Sequence, residues 1–198
     1  GLGDVYKRQD ITDGITISAW VYNEGQDSYN RIMEKGLNQY TLWIDANDHY
    51  VFRLKWNDGS NTILQGNTVL PRNEWVHIVA TWTTGGDMKL YLNGNLDGSK
   101  AGGNTLMINN DPLYIGRWKT DLTRCFNGKI DDICIYNRSL NDTEIKQIYN
   151  GSIITNGLVS EWNFNEGSGS TAHDSIGTND GTIHGCSWID RPTHRYAN

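Results

Sequence analysis

Short hydrophobic runs separated by turn dipeptides are the feature that most constrains the fold of this chain. Four Asn-Gly and four Asp-Gly pairs punctuate its 198 residues, and such pairs adopt the positive φ angles of tight hairpin turns. One of them, Asn93-Gly94, directly follows the run at residues 88–92. Turn signals at this density between short segments are typical of a β-sandwich or a β-barrel.

The clearest alternating segment covers residues 14–22. Ile15, Ile17, Ala19 and Val21 fall on one face of it and polar or aromatic residues fall on the other, which predicts a half-buried strand. The 10 Tyr and 8 Trp residues also favour pleated surfaces. We predict further strands at residues 29–35, 40–45, 49–56, 61–65, 75–82, 88–92, 113–116, 128–136, 157–164 and 182–188.

One segment carries convincing helix signals. Asn141 can cap a helix N-terminus, and Glu144 at the third helical position completes a capping box. Ile145 and Ile148 continue an apolar stripe, and Gly151 is a stop signal. The sequence therefore predicts an all-β, two-sheet antiparallel sandwich with one short helix near residues 142–150.

Composition and charge exclude several classes of partner. The net charge is −6 and no cluster of Lys or Arg stands out, so the basic surface that nucleic acid requires is absent from the sequence. No apolar run reaches transmembrane length, so we expect no membrane insertion. Cys125, Cys134 and Cys186 are too sparse for a disulfide framework. We expect reduced thiols in strands, and one cross-strand bridge involving Cys186 is the alternative.

Three landmarks carry a resemblance to a known family. They are ITISAWVY at residues 15–22, EWVHIVATW with MKLYLNG within residues 74–94, and FNGKIDDICIYNRSLNDTEIKQIYNG at residues 126–151. In this order the chain resembles the laminin-G-like jelly-roll family of the concanavalin A-like lectin and glucanase superfamily. The resemblance implies that the sandwich is a two-sheet antiparallel jelly roll.

The opening segment of that family occurs here after the helix, as GLVSEWNFNEGSGSTAHDSIGTNDGTIHGCSW at residues 157–188. A longer tandem array is therefore the expected parent protein. We expect residues 158–164 to pair with residues 129–136 and complete the first sandwich, because an unpaired sheet edge promotes aggregation. The expected organisation is a non-native leader at residues 1–9, a jelly roll lacking its opening strands at residues 10–151, and a linker with the opening strands of a second repeat at residues 152–198.

The residue pattern gives no support to catalysis. Retaining glycosidases need two carboxyl groups about 5 Å apart, and glucanases of the resembled superfamily place them in a Glu-x-Asp-x-x-Glu pattern. Here Glu161 is followed two residues later by Asn163. Asp131 and Asp132 are adjacent, so their side chains point to opposite faces of a strand. We predict no enzymatic activity and assign no catalytic residue.

The resemblance implies one cofactor, a structural calcium ion. In the glucanase and lectin relatives, the Asp of the last long strand often helps to bind Ca²⁺ together with the N-terminal loop. Asp131 matches that position, and Asn165 and Glu166 are its expected companions. Carboxylate and carbonyl oxygens are the ligands that Ca²⁺ prefers. The alternative is that Asp131 only accepts backbone hydrogen bonds.

Exposed aromatic rings beside polar side chains would carry glycan recognition, because a ring stacks on the apolar face of a sugar while amides, carboxylates and guanidinium groups bond its hydroxyls. Each such ring can instead pack into the sandwich. The candidates are Trp56 with Asn57 and Asp58, Trp118 with Arg117, and Tyr29 at the start of a strand.

These observations predict a non-catalytic extracellular binding module, secreted or at the cell surface. Its expected partners are a glycan or a cell-surface protein, and the neighbouring domains of a larger parent chain. A structural or protein-adhesion repeat that binds no sugar is one alternative. An accessory fragment of a glycoside hydrolase is the other, because one fold hosts many functions.

Overall fold

The computed structural model describes residues 11–25, 30–36, 39–118 and 125–189. The elements within this part are β1 (Gly14–Asn23), β2 (Asn30–Lys35), β3 (Tyr40–Ile44), β4 (His49–Lys55), β5 (Asn61–Val69), β6 (Trp75–Thr83), β7 (Asp87–Leu92), β8 (Asn95–Ala101), β9 (Leu113–Ile115), β10 (Gly128–Tyr136), α1 (Asp142–Tyr149), β11 (Leu158–Trp162), β12 (Thr171–Ala172) and β13 (Gly181–Thr182).

Two large antiparallel sheets form the sandwich. The six-stranded sheet has the order β11-β10-β1-β6-β7-β8, and the five-stranded sheet has the order β5-β4-β3-β2-β9. A small sheet pairs β12 with β13. The predicted two-sheet antiparallel jelly-roll sandwich with one short helix is confirmed.

The core lies between the two large sheets and follows the predicted alternation. Ile15, Ile17, Ala19 and Val21 of β1 are all fully buried. They belong to one cluster with side chains of the five-stranded sheet such as Phe52. Burial of each large apolar side chain contributes about 1.5–3 kcal/mol, so this alternation is a main source of the sandwich's stability.

The helix begins and ends as the sequence predicts. The Asn141 side chain accepts hydrogen bonds from the Thr143 and Glu144 amides at 3.0 Å, and the Glu144 carboxylate accepts one from the Asn141 amide at 2.9 Å. The predicted capping box is therefore confirmed. Ile145 of α1 and Tyr91 of the six-stranded sheet share a second apolar cluster. The helix thus covers part of the outer face of that sheet.

Most predicted strands are present, and β10 has the predicted bounds. The predicted Asn93-Gly94 turn follows β7, with φ angles of 49° and 78°. Two expectations differ from the structure. The predicted strand at residues 182–188 is reduced to Gly181–Thr182, and β8 (Asn95–Ala101), which was not predicted, extends the six-stranded sheet. The polar, largely exposed β8 has no apolar alternation that would reveal it.

β11 forms one edge of the six-stranded sheet. It runs antiparallel to β10, with Trp162 opposite Ile133 and Ser160 opposite Ile135. Trp162 is buried in the main core. Arg138 fixes the preceding linker, because its Nε donates to a backbone carbonyl there at 2.8 Å while its two terminal nitrogens bind the Glu144 carboxylate at 2.7 and 2.9 Å.

The segment after β11 folds around one carboxylate. Asp174 Oδ1 accepts hydrogen bonds from the amides of Glu161, Ile176 and Gly177 at 3.0, 3.1 and 3.0 Å. Its Oδ2 accepts from the Nδ2 and the amide of Asn179 at 2.9 and 3.3 Å. Burial alone would raise the pKa of Asp174, but these hydrogen bonds outweigh it and hold the pKa below its ordinary value.

Two further sequence expectations concern cysteines and membranes. No disulfide joins Cys125, Cys134 and Cys186, all three of which lie in the described part of the chain. None of the described residues belongs to a helix that is long and apolar enough to cross a membrane.

Candidate functional site

The outer face of the five-stranded sheet is unusually rich in polar and aromatic side chains. Along β3, Tyr40, Leu42 and Ile44 point into the core, so the alternating positions Thr41 and Trp43 point outward. The strand register extends this outward set to the neighbouring strands. We call this surface the Trp43 face, and its members are Arg31, Glu34, Gln39, Thr41, Trp43, Arg53, Lys55, Tyr114 and Arg117.

A β-bulge brings an ion pair onto the Trp43 face. Residues three apart on a regular strand point to opposite faces, as Arg31 and Glu34 would. The register of β2 against β3 shifts between Arg31 and Met33, and this extra residue returns both side chains to the same face. The Arg31 Nε then lies 3.5 Å from the Glu34 carboxylate.

Two guanidinium groups contact the same indole ring at the centre of this face. The Cζ atom of Arg31 lies 5.0 Å from the Trp43 ring centroid, and that of Arg53 lies 5.8 Å from it. Trp43 is 7% exposed and Arg31 is 4% exposed. Cation–π contacts of this kind hold a guanidinium group in place and strengthen when the pair is desolvated.

Burial lowers the pKa of Arg53, and the negative charge of Glu34 partly opposes that shift. The ordinary pKa of arginine is so high that the group stays protonated in spite of this. The Arg53 side chain is therefore a permanent cation that has lost part of its hydration. Such a cation favours contact with an oxygen-rich or anionic partner.

Several buried polar atoms of the Trp43 face have no hydrogen-bond partner within the described part of the chain. They are Gln39 Nε2 and Oε1, Thr41 Oγ1, Trp43 Nε1 and Arg53 Nε. A buried polar atom left without a partner costs about 1–3 kcal/mol. Folded proteins therefore keep few of them, and a local group of them calls for an explanation. These atoms lie beneath the surface of the face, so a ligand would contact the half-buried side chains around them and not the atoms themselves.

The rim of the Trp43 face is more accessible than its centre. Tyr114 of β9 lies directly opposite Glu34, and the Cζ atom of Arg117 lies 5.8 Å from the Tyr114 ring centroid. Tyr114, Arg117, Arg53 and Lys55 are all half-buried. This arrangement offers an aromatic ring and cationic hydrogen-bond donors to a ligand that lies across the strands.

The structure places Trp56 elsewhere, in the core. Its ring centroid lies 5.3 Å from that of Trp82, and its Nε1 donates to Thr62 Oγ1 at 3.0 Å. Because Trp56 is 5% exposed, it has no open ring face for a sugar, contrary to the sequence expectation. The chain after β4 turns inward here, since Trp56 forms a β-bridge with Leu106.

The companions of Trp56 remain at the surface as parts of a turn. Asn57 and Asp58 are exposed. The Asp58 carboxylate accepts hydrogen bonds from the amide and the hydroxyl of Ser60 at 2.8 and 2.6 Å. These hydrogen bonds hold the pKa of Asp58 below its ordinary value. Both residues are therefore explained by the turn and do not join the Trp43 face.

The other sequence candidates divide between the rim and the undescribed part of the chain. Arg117 stacks on Tyr114 at the rim of the Trp43 face, and the half-buried Trp118 follows it. Tyr29 lies outside the described residues. The sequence analysis did not single out Trp43 or Arg53. Each alternates with buried apolar residues in a predicted strand, Trp43 within residues 40–45 and Arg53 within residues 49–56, and this alternation was the available signal.

The three expected calcium ligands differ in burial and in the hydrogen bonds that they already make. Glu166 Oε1 accepts a hydrogen bond from the His173 amide at 2.7 Å, and its buried Oε2 has no hydrogen-bond partner among the described residues. Asp131 is buried on β10 and accepts a hydrogen bond from the Asp132 amide, whereas Asn165 is exposed. The described residues contain no group of three or more His, Cys, Asp or Glu side chains placed to hold a metal ion. Calcium binding stays a prediction.

The outer face of the six-stranded sheet carries a second set of half-buried rings. Tyr22 lies 5.7 Å from Trp75 between ring centroids, and the Lys129 Nζ lies 4.3 Å from the Tyr22 centroid. Trp20 stacks on Tyr149 of α1 at 5.8 Å. The Trp20–Tyr149 contact helps to seat the helix, and the Tyr22–Lys129 pair offers a comparison for the Tyr114–Arg117 pair of the Trp43 face.

Comparison with known proteins identifies a family and distant relatives. Residues 4–146 match the profile of Laminin_G_3, described as the Concanavalin A-like lectin/glucanases superfamily. The human Adhesion G-protein coupled receptor D1 is 31% identical over 94 residues, which are 46% of this chain and 11% of the receptor. The Pentraxin fusion protein of Xenopus laevis is 29% identical over 101 residues, 46% of this chain and 24% of that protein. The chain thus spans only a small part of these relatives.

Solved structures show the same fold. A candidate carbohydrate binding protein from Bacteroides ovatus superposes with a TM-score of 0.72 at 21% identity, over 86% of this chain and 51% of that one. The binding domain of Paraclostridial Mosquitocidal Protein 1 superposes with a TM-score of 0.60 at 21% identity, over 72% of this chain and 38% of that one. At such low identity the likeness concerns the fold alone.

Proposed function

Since the chain belongs to the Laminin_G_3 family of the Concanavalin A-like lectin/glucanases superfamily, we propose that it is a non-catalytic binding module that takes a saccharide on the Trp43 face. One observation carries this proposal. The half-buried Tyr114 ring and the half-buried guanidinium groups of Arg53 and Arg117 lie on the same outer face of the five-stranded sheet.

The chemistry of the Trp43 face suits a sugar. Saccharide sites combine aromatic rings, which pack against C–H groups, with a few fixed polar side chains that bond the hydroxyls. The Trp43 face offers the half-buried Tyr114 ring and the guanidinium groups of Arg53 and Arg117 at its rim. The five-stranded sheet holds these groups on rigid strands, so little ordering is needed on binding.

A hydrogen-bonded Ser–His pair lies in the described part of the chain, and we assign it no catalytic role. Ser18 and His77 form a hydrogen-bonded pair at 2.7 Å between Oγ and Nε2, a pair of residue types that hydrolases use. Both side chains are buried under the outer surface of the six-stranded sheet. A nucleophile enclosed in this way cannot reach a substrate, so we interpret the pair as structural.

The module is proposed to act outside the cell, secreted or at the cell surface, as part of a longer protein. Its similarity to part of an adhesion receptor and part of a pentraxin fusion protein supports that location. The same similarity favours one alternative partner, a cell-surface protein in place of a glycan.

A glycan array probed with the 198-residue chain tests the proposal, together with two matched variants. Tyr114→Ala removes the half-buried rim tyrosine of the Trp43 face, over which Arg117 stacks. Tyr22→Ala removes a half-buried tyrosine of the opposite sheet, over which Lys129 stacks. Loss of one stacking ring should weaken binding about fivefold, and only the Tyr114 variant should show this loss.

Circular dichroism and melting temperatures of both variants establish that each remains folded. Binding that Tyr22→Ala weakens while Tyr114→Ala leaves it intact would move the site to the other sheet. Failure of the folded chain to bind any saccharide on the array would refute the proposed function and would favour the protein-adhesion alternative.

A further inference from the structure

We propose that the ligand of the Trp43 face is an acidic saccharide, whose rings carry carboxylate or sulfate groups. This inference rests on the proposed function and specifies its ligand class. The described side chains of this face include four cations, Arg31, Arg53, Lys55 and Arg117, and one carboxylate, Glu34. The chain as a whole carries a net charge of −6, so the sign of the charge is reversed among the described residues of this face.

The carboxylate of Glu34 forms an ion pair with the first of these cations, and its negative charge also acts on Arg53. It lies 3.5 Å from Arg31 Nε, and both side chains are buried. Arg53 contacts the same Trp43 ring, with its Cζ atom 5.8 Å from the ring centroid. The buried Nε of Arg53 has no hydrogen-bond partner in the described part of the chain. A partly desolvated guanidinium group is stabilised by an anion, and its fork of donors matches an oxyanion with two parallel hydrogen bonds.

The spacing of the cations indicates a polymer in place of a single sugar. Arg53 lies on β4, Arg117 follows β9, and β3 and β2 separate these strands. Neighbouring strands lie about 4.8 Å apart, so three steps separate the two cations by about 14 Å across the sheet. A ligand that reaches both must be an oligosaccharide running across the strands with acidic groups on more than one ring.

The residues of the face have different parts in this arrangement. Trp43 is almost fully buried, so it positions the guanidinium groups of Arg31 and Arg53 by cation–π contact and is a positioning residue. Tyr114 and Arg117 are half-buried at the rim and can touch the ligand directly. Arg53 and Lys55, also half-buried, extend this cationic surface along β4.

Isothermal titration of the 198-residue chain with three polysaccharides tests the inference. Polygalacturonate supplies carboxylates, heparin supplies sulfates as well as carboxylates, and dextran is neutral. We expect binding to at least one acidic polymer, with an affinity that falls as sodium chloride is added, because salt screens charge pairs. Dextran should bind at least about tenfold more weakly, since it lacks the charge-assisted hydrogen bonds.

Two charge-matched variants locate the effect. Arg53→Gln should lower the affinity for the acidic polymer by about tenfold, because one charge-assisted hydrogen-bonding group is lost. Lys146→Gln removes the same charge from the exposed surface of α1 and should leave the affinity unchanged. If Arg53→Gln fails to fold by circular dichroism, Arg117→Gln at the rim takes its place with the same expected loss.

The possible results separate this inference from the proposed function. Binding to heparin alone would indicate that sulfate groups are required, whereas binding to polygalacturonate as well would show that carboxylates suffice. Either result supports an acidic ligand if Arg53→Gln weakens the binding. Binding to dextran or another neutral glycan that Arg53→Gln leaves intact would overturn the acidic ligand but not the saccharide-binding function. Absence of binding to every saccharide would overturn both.

Discussion

Replacement of Asp174 by asparagine should destabilise the chain strongly, although the two side chains have nearly the same shape. Asp174 is 7% exposed, and its two oxygens accept five hydrogen bonds. An asparagine that keeps its oxygen toward the amides of Glu161, Ile176 and Gly177 turns its NH₂ group toward the two donors of Asn179. Donors would then face donors at a buried position.

The magnitude follows from the hydrogen bonds. A hydrogen bond to a charged group contributes about 1.5–3 kcal/mol, whereas one between neutral groups contributes about 0.5–1.5 kcal/mol. The two lost bonds alone contribute about 3–6 kcal/mol and three more become neutral, so we expect the free energy of unfolding to fall by at least about 3 kcal/mol. For a chain of this size, that loss corresponds to a melting temperature lower by about 6–12 °C.

Urea denaturation followed by tryptophan fluorescence measures this change, and Asp13→Asn, which removes a charge from an exposed side chain, is the control. The control should shift the free energy of unfolding by less than about 0.5 kcal/mol. A change of similarly small size in Asp174→Asn would refute the view that Asp174 organises the segment after β11.

The pH dependence supplies a second check on Asp174. Its pKa is below the ordinary value in the folded chain, so its contribution is present above the unfolded pKa of about 3.9 and is lost as the pH falls through the folded pKa. The difference in stability between the wild-type chain and Asp174→Asn should therefore be full at neutral pH and shrink in acid. A difference that grows in acid would contradict this reasoning.

Three further predictions concern other parts of the chain. Asp97→Ala should cost about 2 kcal/mol in urea denaturation, because the Tyr50 hydroxyl loses its acceptor at 2.6 Å, and an unchanged midpoint would count against this. A chain that ends at Asn150 lacks β11 and the buried Trp162, whose burial contributes about 1.5–3 kcal/mol, so its melting temperature should fall; an equal melting temperature would show that residues 151–198 are dispensable. If Asp131 helps to bind calcium, the metal-free chain melts at a higher temperature in millimolar calcium than in chelator, and equal temperatures would contradict the calcium prediction.

Much of the fold follows from local signals. The alternation in β1, the Asn93-Gly94 turn and the Asn141 capping box each depend on residues close together in the sequence, and each predicts the structure correctly. β8 (Asn95–Ala101) has no such signal, because it is a polar edge strand whose pairing with β7 depends on the preceding hairpin.

The candidate site was harder to predict from the sequence than the fold. The sequence analysis favoured aromatic residues in turns and at strand ends as ligand-binding residues. Trp56 lies in such a turn but packs into the core against Trp82. The Trp43 face depends on the register of several strands and on a bulge that brings Arg31 and Glu34 to one side. A bulge of one residue reverses the expected face of every residue beyond it, and the sequence carries no clear mark of this one.

Nuclear magnetic resonance of the indole N–H groups tests the central claim most directly. The chain has 8 tryptophans, and a single Trp→Phe substitution assigns each indole signal. On addition of a saccharide selected from the array, the Trp43 signal should shift, because a ligand held by Arg53 changes the environment of the indole ring that Arg53 contacts, while the signals of Trp20 and Trp75 on the opposite sheet should stay in place. A shift of Trp20 or Trp75 with an unmoved Trp43 signal would contradict the assignment of the Trp43 face as the binding site.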